Sequence, residues 1–434
     1  MYARPTHFPH PDDMSPWRVS PDSPSSRPPE AEAEELEADC VIVGAGYTGL
    51  ACAHRLAQLA PDWRILLVDA MRVGEGASGR NSGFVMDTGH WHASWPLERN
   101  RGVIELSRLG LALLREQVQT HEIACDWYEG NRYHVAVNRR GRRALGRFRD
   151  GMKALGVAFQ EVSPEELAER VGTSHYTEAM RLDSGAFVEP AALVRGIAQN
   201  LPPSVTLMEQ QPVSEIEPGP PHRLSTPNAK IRAHRLVLAT NGFMGAWGVE
   251  RARVLPFATF ASITEPLDAP PGADPQWGLV PEERMGCTVR RTADDRILIR
   301  NGVVLRSVPD LTDGSVERAA AEHRKSFEMR FPELRDVPFS HSWGGVIGAT
   351  NNDGTVFGSM GDQAWVCGAH NGVGMAMGTA LGDLLAHEIA GVSHERLEQA
   401  HQLPRPSWMP PQPLLGLGVR IYVAMLGLLA GDEK

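Results

Sequence analysis

The chain has 434 residues, of which 42% are hydrophobic and 22% charged, and this composition excludes a disordered polypeptide for most of its length. At roughly 100–200 residues per domain, the length predicts two to three units, or a cofactor domain with a substrate domain inserted into it. The formal net charge of −10 gives the chain no overall attraction for a phosphodiester backbone, so we expect no nucleic-acid partner.

The five cysteines, at positions 40, 52, 125, 287 and 367, are scattered, and none forms a CxxC pair. We expect reduced, mostly buried thiols and no metal site. The N-terminus lacks the basic stretch and apolar run of a secretory signal, so a cytoplasmic protein is expected. No apolar run reaches the roughly 18 uninterrupted residues of a membrane span, and no membrane contact is expected.

The first 29 residues contain eight prolines, and residues 30–39 add six acidic side chains. This composition predicts that residues 1–37 form an arm that is either disordered or extended over the surface.

A βαβ unit follows the arm. The short apolar run at residues 39–43 predicts a buried parallel strand, residues 48–60 have helical spacing, and residues 63–68 supply the next strand. Between the first strand and the helix lies the sequence Gly44-Ala45-Gly46-Tyr47-Thr48-Gly49, and Asp69 ends the second strand. Glycines at this spacing permit a tight turn, close approach of a pyrophosphate and close helix–strand packing, while the acid accepts from ribose hydroxyls. The unit predicts dinucleotide binding.

The remaining elements fall into two sets. Helices are predicted at residues 104–119, 142–155, 190–200 and 315–331, and strands at 127–137, 205–216, 236–240, 254–264, 287–291, 296–299 and 365–368. The strand candidates of residues 253–305 suggest an antiparallel sheet. We assign residues 38–100, 182–250 and 340–413 to a discontinuous cofactor domain, residues 101–181 and 251–339 to a substrate domain, and residues 414–434 to a C-terminal helix.

Two further segments indicate which dinucleotide is bound. Residues 74–83 are rich in small and polar side chains, as in a loop that wraps a ligand. Residues 368–374, Gly-Ala-His-Asn-Gly-Val-Gly, precede an apolar helix and form a second glycine-rich helix N-terminus. Two positive helix ends fit a flavin dinucleotide, one facing the pyrophosphate and the other the N1–C2=O edge of the ring.

Over residues 38–395 the chain resembles the FAD-dependent oxidoreductases grouped around D-amino-acid oxidase (DAO), glycine oxidase and sarcosine oxidase. The resemblance is carried by the first glycine motif, by residues 76–81 (Gly-Ala-Ser-Gly-Arg-Asn), 239–242, 264–267, 290–296 and 343–345, and by the second glycine turn. It is greatest to the gamma-glutamylputrescine oxidase subgroup. It implies an α/β fold, in which a glutathione-reductase-type FAD-binding Rossmann domain is joined to a discontinuous α+β substrate domain of antiparallel sheet plus helices.

The resemblance also implies a set of residues around a non-covalent FAD. These are Gly44, Gly46, Tyr47, Thr48, Gly49, Asp69, Ala70, Ala77, Ser78, Gly79, Arg80, Asn81, Ser82, Gly83, Val213, Thr240, Asn241, Gly242, Gly344, Gly368, Asn371, Gly372, Val373, Gly374 and Met375.

Three side chains are candidates for contact with substrate or flavin, namely His370, His90 and Trp343; His92 is interpreted as a loop imidazole. Relatives that oxidise α-amino acids often carry an Arg-Pro pair where this chain has Gly345-Val346-Ile347-Gly348. The missing guanidinium favours an amine substrate, or an amino acid held by another arginine such as Arg290 or Arg300. Cys367 is predicted to lie in the core.

The resemblance implies oxidation of a C–N bond in an amine or amino acid by hydride transfer to flavin N5, giving an imine that hydrolyses. Molecular oxygen is the expected acceptor, and a dehydrogenase that uses a quinone is the alternative. The other hypotheses are a non-catalytic flavin subunit and a tRNA-modifying flavoenzyme. The apolar segment Leu414 to Ala430 is predicted to dock on the FAD domain, with an interfacial helix that touches a membrane quinone pool as the alternative.

Overall fold

The computed structural model describes residues 2, 4, 5, 8, 9, 15–17, 34–89, 91–306, 311, 314–410 and 413–434. The strands are β1 (Glu34–Val43), β2 (Ile65–Val68), β3 (Phe84–Val85), β4 (Tyr128–Glu129), β5 (Arg132–Ala136), β6 (Gln160–Val162), β7 (Glu178–Leu182), β8 (Ala186–Phe187), β9 (Val205–Met208), β10 (Glu215–Glu217), β11 (His222–Ser225), β12 (Ala229–Leu238), β13 (Leu255–Thr264), β14 (Trp277–Pro281), β15 (Thr288–Arg291), β16 (Ile297–Leu305), β17 (Phe339–Ala349), β18 (Val356–Gly361) and β19 (Ala364–Gly368). The helices are α1 (Tyr47–Leu59), α2 (Leu97–Thr120), α3 (Arg139–Leu155), α4 (Pro164–Val171), α5 (Pro190–Gln199), α6 (Ser315–Arg330), α7 (Ala376–Ala390), α8 (Leu397–His401) and α9 (Leu414–Ala430).

The first sheet has a parallel core. Strands β19, β12, β1, β2 and β9 lie side by side and run in one direction, while β10, β11 and β18 add antiparallel pairs at its margins. The strands β1 and β2 end in continuous buried apolar runs, as expected for a sheet covered on both faces. The predicted βαβ unit and the α/β fold class are confirmed.

The second sheet has the strand order β17-β13-β16-β15-β14-β5-β7-β6, and all neighbours are antiparallel except β14 and β5. Phe327 and Phe331, in α6 and just after it, pack against the core of this sheet on one face. A small third sheet, β3-β8-β4, is antiparallel.

Helices α1 and α7, about 320 residues apart in the chain, lie in close contact beneath the first sheet. A Cβ on Gly382 of α7 would be 2.2 Å from the carbonyl oxygen of Thr48 in α1, and one on Gly378 would be 2.8 Å from the Thr48 hydroxyl. Glycine at these positions therefore lets the N-termini of both helices reach the same end of the sheet.

Some predicted boundaries shift in the structure. Residues 34–37, predicted to belong to the arm, form the start of β1 and pair with β12. The strand β17 was placed in the cofactor domain by the boundary at residue 340, but it pairs with β13 in the antiparallel sheet. Helix α2, placed in the substrate domain, contributes Val103, Leu106 and Leu114 to the same core as α1 and α7. A helix that connects domains can pack on either, and its apolar spacing does not reveal which.

The prediction for the C-terminal helix is wrong about its partner. One side of α9, with Leu426 and Ala430, packs on Met285 and Val303 of the substrate-domain sheet, not on the FAD domain. The stretch Leu414–Glu433 is long and apolar enough to cross a membrane, and only 11% of it is buried. The helix therefore carries more apolar surface than its contact with this sheet covers.

Candidate active site

The first glycine turn is built by close backbone contacts. Gly44 has φ +107°, and a Cβ there would be 2.6 Å from the carbonyl oxygen of Ala239 in the neighbouring strand connection. A Cβ on Gly49 would be 1.8 Å from the carbonyl oxygen of Gly44. Only glycine allows this turn to pass so close to its neighbours, which leaves the N-terminal amides of α1 open toward a ligand.

Asp69 is tied to the same turn. Its Oδ2 accepts the backbone N–H of Ala45 at 2.7 Å, and its Oδ1 accepts that of Met71 at 2.9 Å. Burial raises the pKa of Asp69 to about 6, against these two hydrogen bonds, which lower it. Each oxygen keeps a lone pair with which a ribose hydroxyl can bond.

A small cavity of about 160 Å³ lies beside this carboxylate. Among the residues predicted to hold FAD, the following line it: Gly44, Gly46, Asp69, Ala70, Ala77, Ser78, Val213, Thr240, Asn241 and Gly242. The Thr240 hydroxyl is buried and has no hydrogen-bond partner among the described residues. Pro5, Phe8 and Pro9 of the arm also line the cavity, so part of the arm lies over it.

The loop after β2 is held in place by its own amides and by a buried arginine. Asn81 donates from Nδ2 to the carbonyl oxygen of Ser78 at 2.7 Å and accepts the N–H of Gly83 at 2.8 Å. Arg290 donates to the carbonyl oxygens of Ser82 at 3.0 Å, Gly83 at 3.3 Å and Val188 at 2.7 Å. The loop is therefore fixed against the substrate-domain sheet.

The second glycine turn meets the first through one hydrogen bond. The ring Nε2 of His370 lies 2.9 Å from the Thr48 hydroxyl, 322 residues away in sequence. Asn371 and Gly372 both have positive φ, and the Asn371 side chain accepts the N–H of Thr350 at 2.8 Å and donates to the carbonyl oxygen of Ala369 at 2.9 Å. The two turns that the sequence predicted to converge thus do so at Thr48 and His370.

His370 is uncharged at neutral pH. Burial without a compensating carboxylate lowers its pKa to about 4. Its second ring nitrogen, Nδ1, is buried and has no partner among the described residues. A neutral imidazole with one unsatisfied nitrogen suits contact with a polar edge of a ligand rather than with a charge.

A larger cavity of about 810 Å³ opens next to these turns. From the FAD domain it is lined by the predicted residues Gly46, Tyr47, Thr48, Ala77, Ser78, Arg80, Asn81, Ser82, Asn241, His370, Asn371, Gly372, Val373, Gly374 and Met375. From the substrate domain it is lined by Ala261, Thr288, Arg300 and Trp343. Gly46, Ala77, Ser78 and Asn241 line both cavities, so the small cavity leads into the large one.

Five predicted glycines line neither cavity. They are Gly49, Gly79, Gly83, Gly344 and Gly368, and each lies close to neighbouring atoms; a Cβ on Gly79, for example, would be 2.1 Å from the carbonyl oxygen of Gly74. They shape the turns. His90 lies outside the described residues.

The wall of the large cavity opposite the glycine turns is one row of side chains across the antiparallel sheet. Trp343 on β17 faces Ala261 on β13, which faces Arg300 on β16, which faces Thr288 on β15. The Trp343 indole donates to the carbonyl oxygen of Arg80 at 2.9 Å, and Nε of Arg80 donates to the carbonyl oxygen of Gly344 at 2.8 Å. This reciprocal pair joins the loop of the FAD domain to the substrate sheet.

The far end of the cavity contains residues that sequence reasoning missed. His134 lies with Nδ1 2.6 Å from a carboxylate oxygen of Glu282 and stacks on Phe148, and Arg140 donates to Glu283 at 2.7 Å. These residues come from β5, α3 and the turn after β14. The strand itself was predicted within residues 127–137, but no motif linked His134 to Glu282, which lies 148 positions later. His92, at the mouth, stacks on Trp95.

A possible metal cluster lies away from both cavities. Ligand atoms of Asp383, His387 and His394 are within 4.8 Å of one another. Arg55, however, donates to the Asp383 carboxylate at 2.6 Å, so a cation already occupies one of its oxygens. The arrangement fits an ion-paired surface of α7, and the prediction that the chain binds no metal remains a prediction.

The residues of the two cavities fit FAD. The buried, unpartnered Thr240 hydroxyl lies at the small cavity and the unpartnered His370 Nδ1 at the large one, and a Cβ on Gly44 or Gly46 would be 2.6 or 2.7 Å from neighbouring atoms. The small cavity, with Asp69, suits the adenosine, and the large cavity suits the isoalloxazine ring together with a small substrate.

Comparison with known proteins gives the same picture. The profile of the family described as "FAD dependent oxidoreductase" (DAO) matches residues 39–388. The chain is 27% identical over 389 residues to the gamma-glutamylputrescine oxidoreductase of Escherichia coli, covering 86% of this chain and 88% of that protein. It is 26% identical to the probable oxidoreductase OrdL of Rhizobium meliloti, covering 86% and 87%. The crystal structure of glycine oxidase from Geobacillus kaustophilus superposes with a TM-score of 0.71 at 18% identity, covering 83% and 96%.

Proposed function

We propose that this chain, which belongs to the DAO family of FAD-dependent oxidoreductases, oxidises the C–N bond of a primary or secondary amine or amino acid. The observation that carries the proposal is the single cavity of about 810 Å³ with the glycine turns on one side and the substrate sheet on the other. A flavin ring held by the turns then presents one face to a substrate on the sheet.

FAD held by the two glycine turns and Asp69 would supply the acceptor for the hydride that leaves the α-carbon of a neutral amine, and molecular oxygen would then take the two electrons. The nitrogen lone pair forms the C=N bond as the C–H bond breaks, and water then adds to the imine carbon, releasing a carbonyl compound and an amine or ammonia. The chain's own task is to hold the substrate α-carbon near N5, to keep its nitrogen unprotonated and to exclude water.

Two residues carry these tasks in our proposal. His370, neutral and hydrogen-bonded to Thr48, presents its free Nδ1 to the pyrimidine edge of the ring. Trp343, fixed by its hydrogen bond to the Arg80 carbonyl oxygen, forms an aromatic wall against the substrate. The indole is fully buried, so it keeps this side of the cavity dry.

We also propose that the flavin is bound without a covalent link. All five cysteines are buried free thiols, and Cys367 lies inside β19 within the core of the FAD domain. Burial raises the pKa of the Cys367 thiol well above its ordinary value, which suppresses the thiolate needed for attack on a flavin.

The experiment is anaerobic mixing of the FAD-loaded chain with amines and amino acids, followed by the loss of flavin absorbance and by product analysis. Reduction by at least one compound, with release of a carbonyl product, is expected. A flavin that no amine or amino acid reduces would contradict the proposal and leave the chain as a flavin-holding subunit. Measuring peroxide against dye reduction under controlled oxygen then separates oxidase from dehydrogenase.

One observation favours a membrane-dissolved quinone as the electron acceptor in place of molecular oxygen. The exposed apolar side of α9, which includes Ile421 and Leu428, lies next to Tyr422, whose hydroxyl is 3.4 Å from Arg284 at the cavity mouth. An acceptor dissolved in a bilayer would reach this mouth, as a quinone would in a dehydrogenase.

A further inference from the structure

Arg300 is an arginine on the cavity wall whose charge has no described counter-ion. It lies in the centre of β16, partly buried, and lines the large cavity. No hydrogen bond or ion pair of its guanidinium to any described residue is present, whereas Arg80 and Arg140 of the same cavity have partners. A guanidinium that is partly removed from water pays a desolvation cost, and an anionic ligand bound beside it would offset that cost.

The register of the sheet places Arg300 in relation to the flavin loop. Trp343, Ala261 and Arg300 face one another across three neighbouring strands, and Trp343 touches the loop through the Arg80 carbonyl oxygen. Strands lie about 4.8 Å apart, so the backbone of Arg300 is roughly 10 Å from that of Trp343 along the row. The guanidinium therefore lies within reach of one end of a small molecule whose other end faces the ring.

The other charged groups near this wall have partners; Arg147 of α3, which lines the cavity without a described partner, is exposed to solvent. Arg290, on the same face of the sheet, gives its guanidinium to three backbone carbonyl oxygens of the flavin loop and its surroundings. The acids Glu282 and Glu283 are bound to His134 and Arg140. Arg300 is thus the cation of this wall that is open to a ligand among the described residues.

The electrostatic surroundings of Arg300 agree with this placement. Burial lowers its pKa, and the only ionisable neighbour that raises it is the Cys287 thiol, which is itself fully buried and neutral. The group remains charged at neutral pH because an arginine starts from a very high pKa.

We infer that the substrate is an amine that carries a carboxylate, and that Arg300 binds this carboxylate through a charge-assisted pair of hydrogen bonds. The inference rests on the proposed function and narrows it from amines in general to amino acids and related amino carboxylates. A planar fork of N–H donors matches a carboxylate, and the cavity excludes the water that would compete for it.

The test uses pairs of compounds that differ only in the anionic group, such as n-propylamine against 4-aminobutyrate and methylethylamine against sarcosine. The FAD-loaded chain and the variants Arg300→Met, Arg300→Lys and Arg232→Met are mixed anaerobically with each compound, and the rate and concentration dependence of flavin reduction are measured. Arg232 is an exposed arginine of the FAD domain paired with Glu37, so it controls for loss of one charge.

The native chain should prefer the carboxylate-bearing member of at least one pair. Arg300→Met should lose about 10- to 100-fold of that preference, mainly as weaker substrate binding, because a hydrogen bond to a charged group is removed. Arg300→Lys should retain part of it, and Arg232→Met all of it. The measured quantity is the ratio of the two reduction rates within each pair, so a change that affects both members equally does not count as a loss of preference.

A second readout needs no turnover. Short aliphatic carboxylates from acetate to valerate, titrated into the FAD-loaded chain, should perturb the flavin spectrum of the native chain but not that of Arg300→Met. FAD content and melting temperature are measured on each variant to detect a folding defect. If Arg300→Met does not fold, the comparison is made between the native chain and Arg300→Lys.

The outcomes separate the two proposals. If amines reduce the flavin but the carboxylate brings no preference, or if Arg300→Met keeps the preference, the inference about Arg300 is wrong while the proposed function stands. If carboxylates bind and perturb the flavin through Arg300 but no amine reduces it, the proposed function is wrong. If neither occurs, both are wrong.

The exposed side of α9 supports a second, independent inference. Leu414, Leu417, Ile421, Met425 and Leu428 follow one another at helical spacing, and each is between 47% and 85% exposed. The opposite side of the helix is occupied by the substrate sheet. A stripe of this length and apolarity is unusual on a surface that faces water.

The C-terminal end of α9 is fixed to the substrate domain. Asn138 donates to the Ala430 carbonyl oxygen at 2.7 Å, and Glu433 accepts the backbone N–H groups of Val137 and Asn138 at 2.8 and 2.9 Å. Arg330 donates to the carbonyl oxygens of Glu433 and Lys434 at 3.0 and 2.8 Å. These contacts would have to break for α9 to cross a bilayer.

The neighbouring helix α3 supplies charge. It begins next to the Ala430 contact and carries six arginines and one lysine against one aspartate, in a chain whose net charge is −10. Arg139, Arg142, Arg143, Arg147 and Lys153 are exposed. An apolar helix beside a cationic one matches the acyl chains and the headgroups of an anionic bilayer.

We propose that α9 and α3 bind the surface of an anionic phospholipid bilayer, with the apolar stripe at the acyl boundary and the cations on the headgroups. Flotation of the FAD-loaded chain with phosphatidylglycerol/phosphatidylcholine vesicles, and with pure phosphatidylcholine vesicles, tests this. Binding to the anionic vesicles that weakens with salt is expected.

Two variants and one control sharpen the flotation test. The triple variant Leu417→Gln, Ile421→Gln and Leu428→Gln should abolish binding, and the pair Arg142→Gln and Arg143→Gln should weaken it about 25-fold, taking roughly fivefold per cation. Arg232→Met should not change it. The proposal would be overturned if the chain did not bind anionic vesicles, or if the triple variant bound them as well as the native chain does. It would also be overturned if the chain formed a dimer in solution that the triple substitution dissociates, because a second copy would then cover the stripe.

Discussion

The carboxylate of Asp69 makes FAD binding depend on pH in a way that can be calculated. Its pKa is raised to about 6 by burial, and the ionised form accepts hydrogen bonds from a ribose better than the protonated form does. An acid with a raised pKa is protonated below that value, so FAD must compete with a proton there. The affinity for FAD should therefore fall as the pH falls through 6.

The size of the effect follows from linkage. If only the ionised form binds FAD, the apparent dissociation constant is multiplied by the factor 1 + 10^(6 − pH), which is about 2 at pH 6 and about 11 at pH 5. Asp69→Asn keeps the size of the side chain but cannot titrate. It should bind FAD about 10- to 100-fold more weakly at pH 7, because hydrogen bonds to a charged group are lost, and it should lack the Asp69 contribution to the pH dependence.

The assay is a fluorescence titration of the apoprotein with FAD at pH 5, 6, 7 and 8. Asp62→Asn, an exposed aspartate on the loop after α1, is the matched control and should behave as the native chain does. Two results would refute the reasoning: equal affinities of the native chain at pH 5 and pH 7, or a variant at position 69 that retains the native pH dependence.

The remaining predictions concern packing, the aromatic wall and metal. Gly382→Ala, whose Cβ would lie 2.2 Å from the Thr48 carbonyl oxygen, should lower the melting temperature by about 3–10 °C in calorimetry, while Gly102→Ala, with open space, should not. Trp343→Phe loses the hydrogen bond to the Arg80 carbonyl oxygen and should slow anaerobic flavin reduction about tenfold with FAD content unchanged; an unchanged rate would remove Trp343 from the site. Dialysis against EDTA should leave FAD content and reduction rate as they were, and a loss of either would point to a metal at Asp383.

Local sequence signals were sufficient for the parts of the site that are local in sequence. The glycines at 44, 46 and 49 and the acid at 69 are spaced by the geometry of one βαβ unit, and that unit has the same geometry wherever it occurs. The second glycine turn was predicted to meet the first because each is a glycine-rich helix N-terminus, and two positive helix ends fit two anionic regions of one ligand. In the structure both turns follow strands of one parallel set, β1 and β19, whose carboxyl ends lie at one edge of the sheet.

The substrate side could not be predicted in the same way. Trp343, Arg300 and Thr288 lie in one row only because four antiparallel strands pair in one register, and a shift of one residue would turn each of them to the other face. Arg290 and Arg300 were equivalent as candidates in the sequence. Their different roles, one bound to backbone carbonyl oxygens and the other open to the cavity, depend on contacts with the loop after β2.

The C-terminal helix illustrates a different limit. Its apolar composition predicted a buried surface, which is the usual reason for such a composition in a globular chain. The structure buries one side on the substrate sheet and leaves Leu417, Ile421 and Leu428 exposed. Composition gives the amount of apolar surface on a helix but not the identity of what covers it.

The central claim is that two glycine turns, joined by the hydrogen bond between Thr48 and His370, bind one flavin next to the substrate sheet. The most direct measurement is the visible absorbance spectrum of the purified chain before and after incubation with excess FAD and gel filtration. One bound FAD per chain, removable by denaturation and lost when Gly46→Val closes the cradle, is the predicted result. A chain that remains colourless after incubation with FAD would contradict the account.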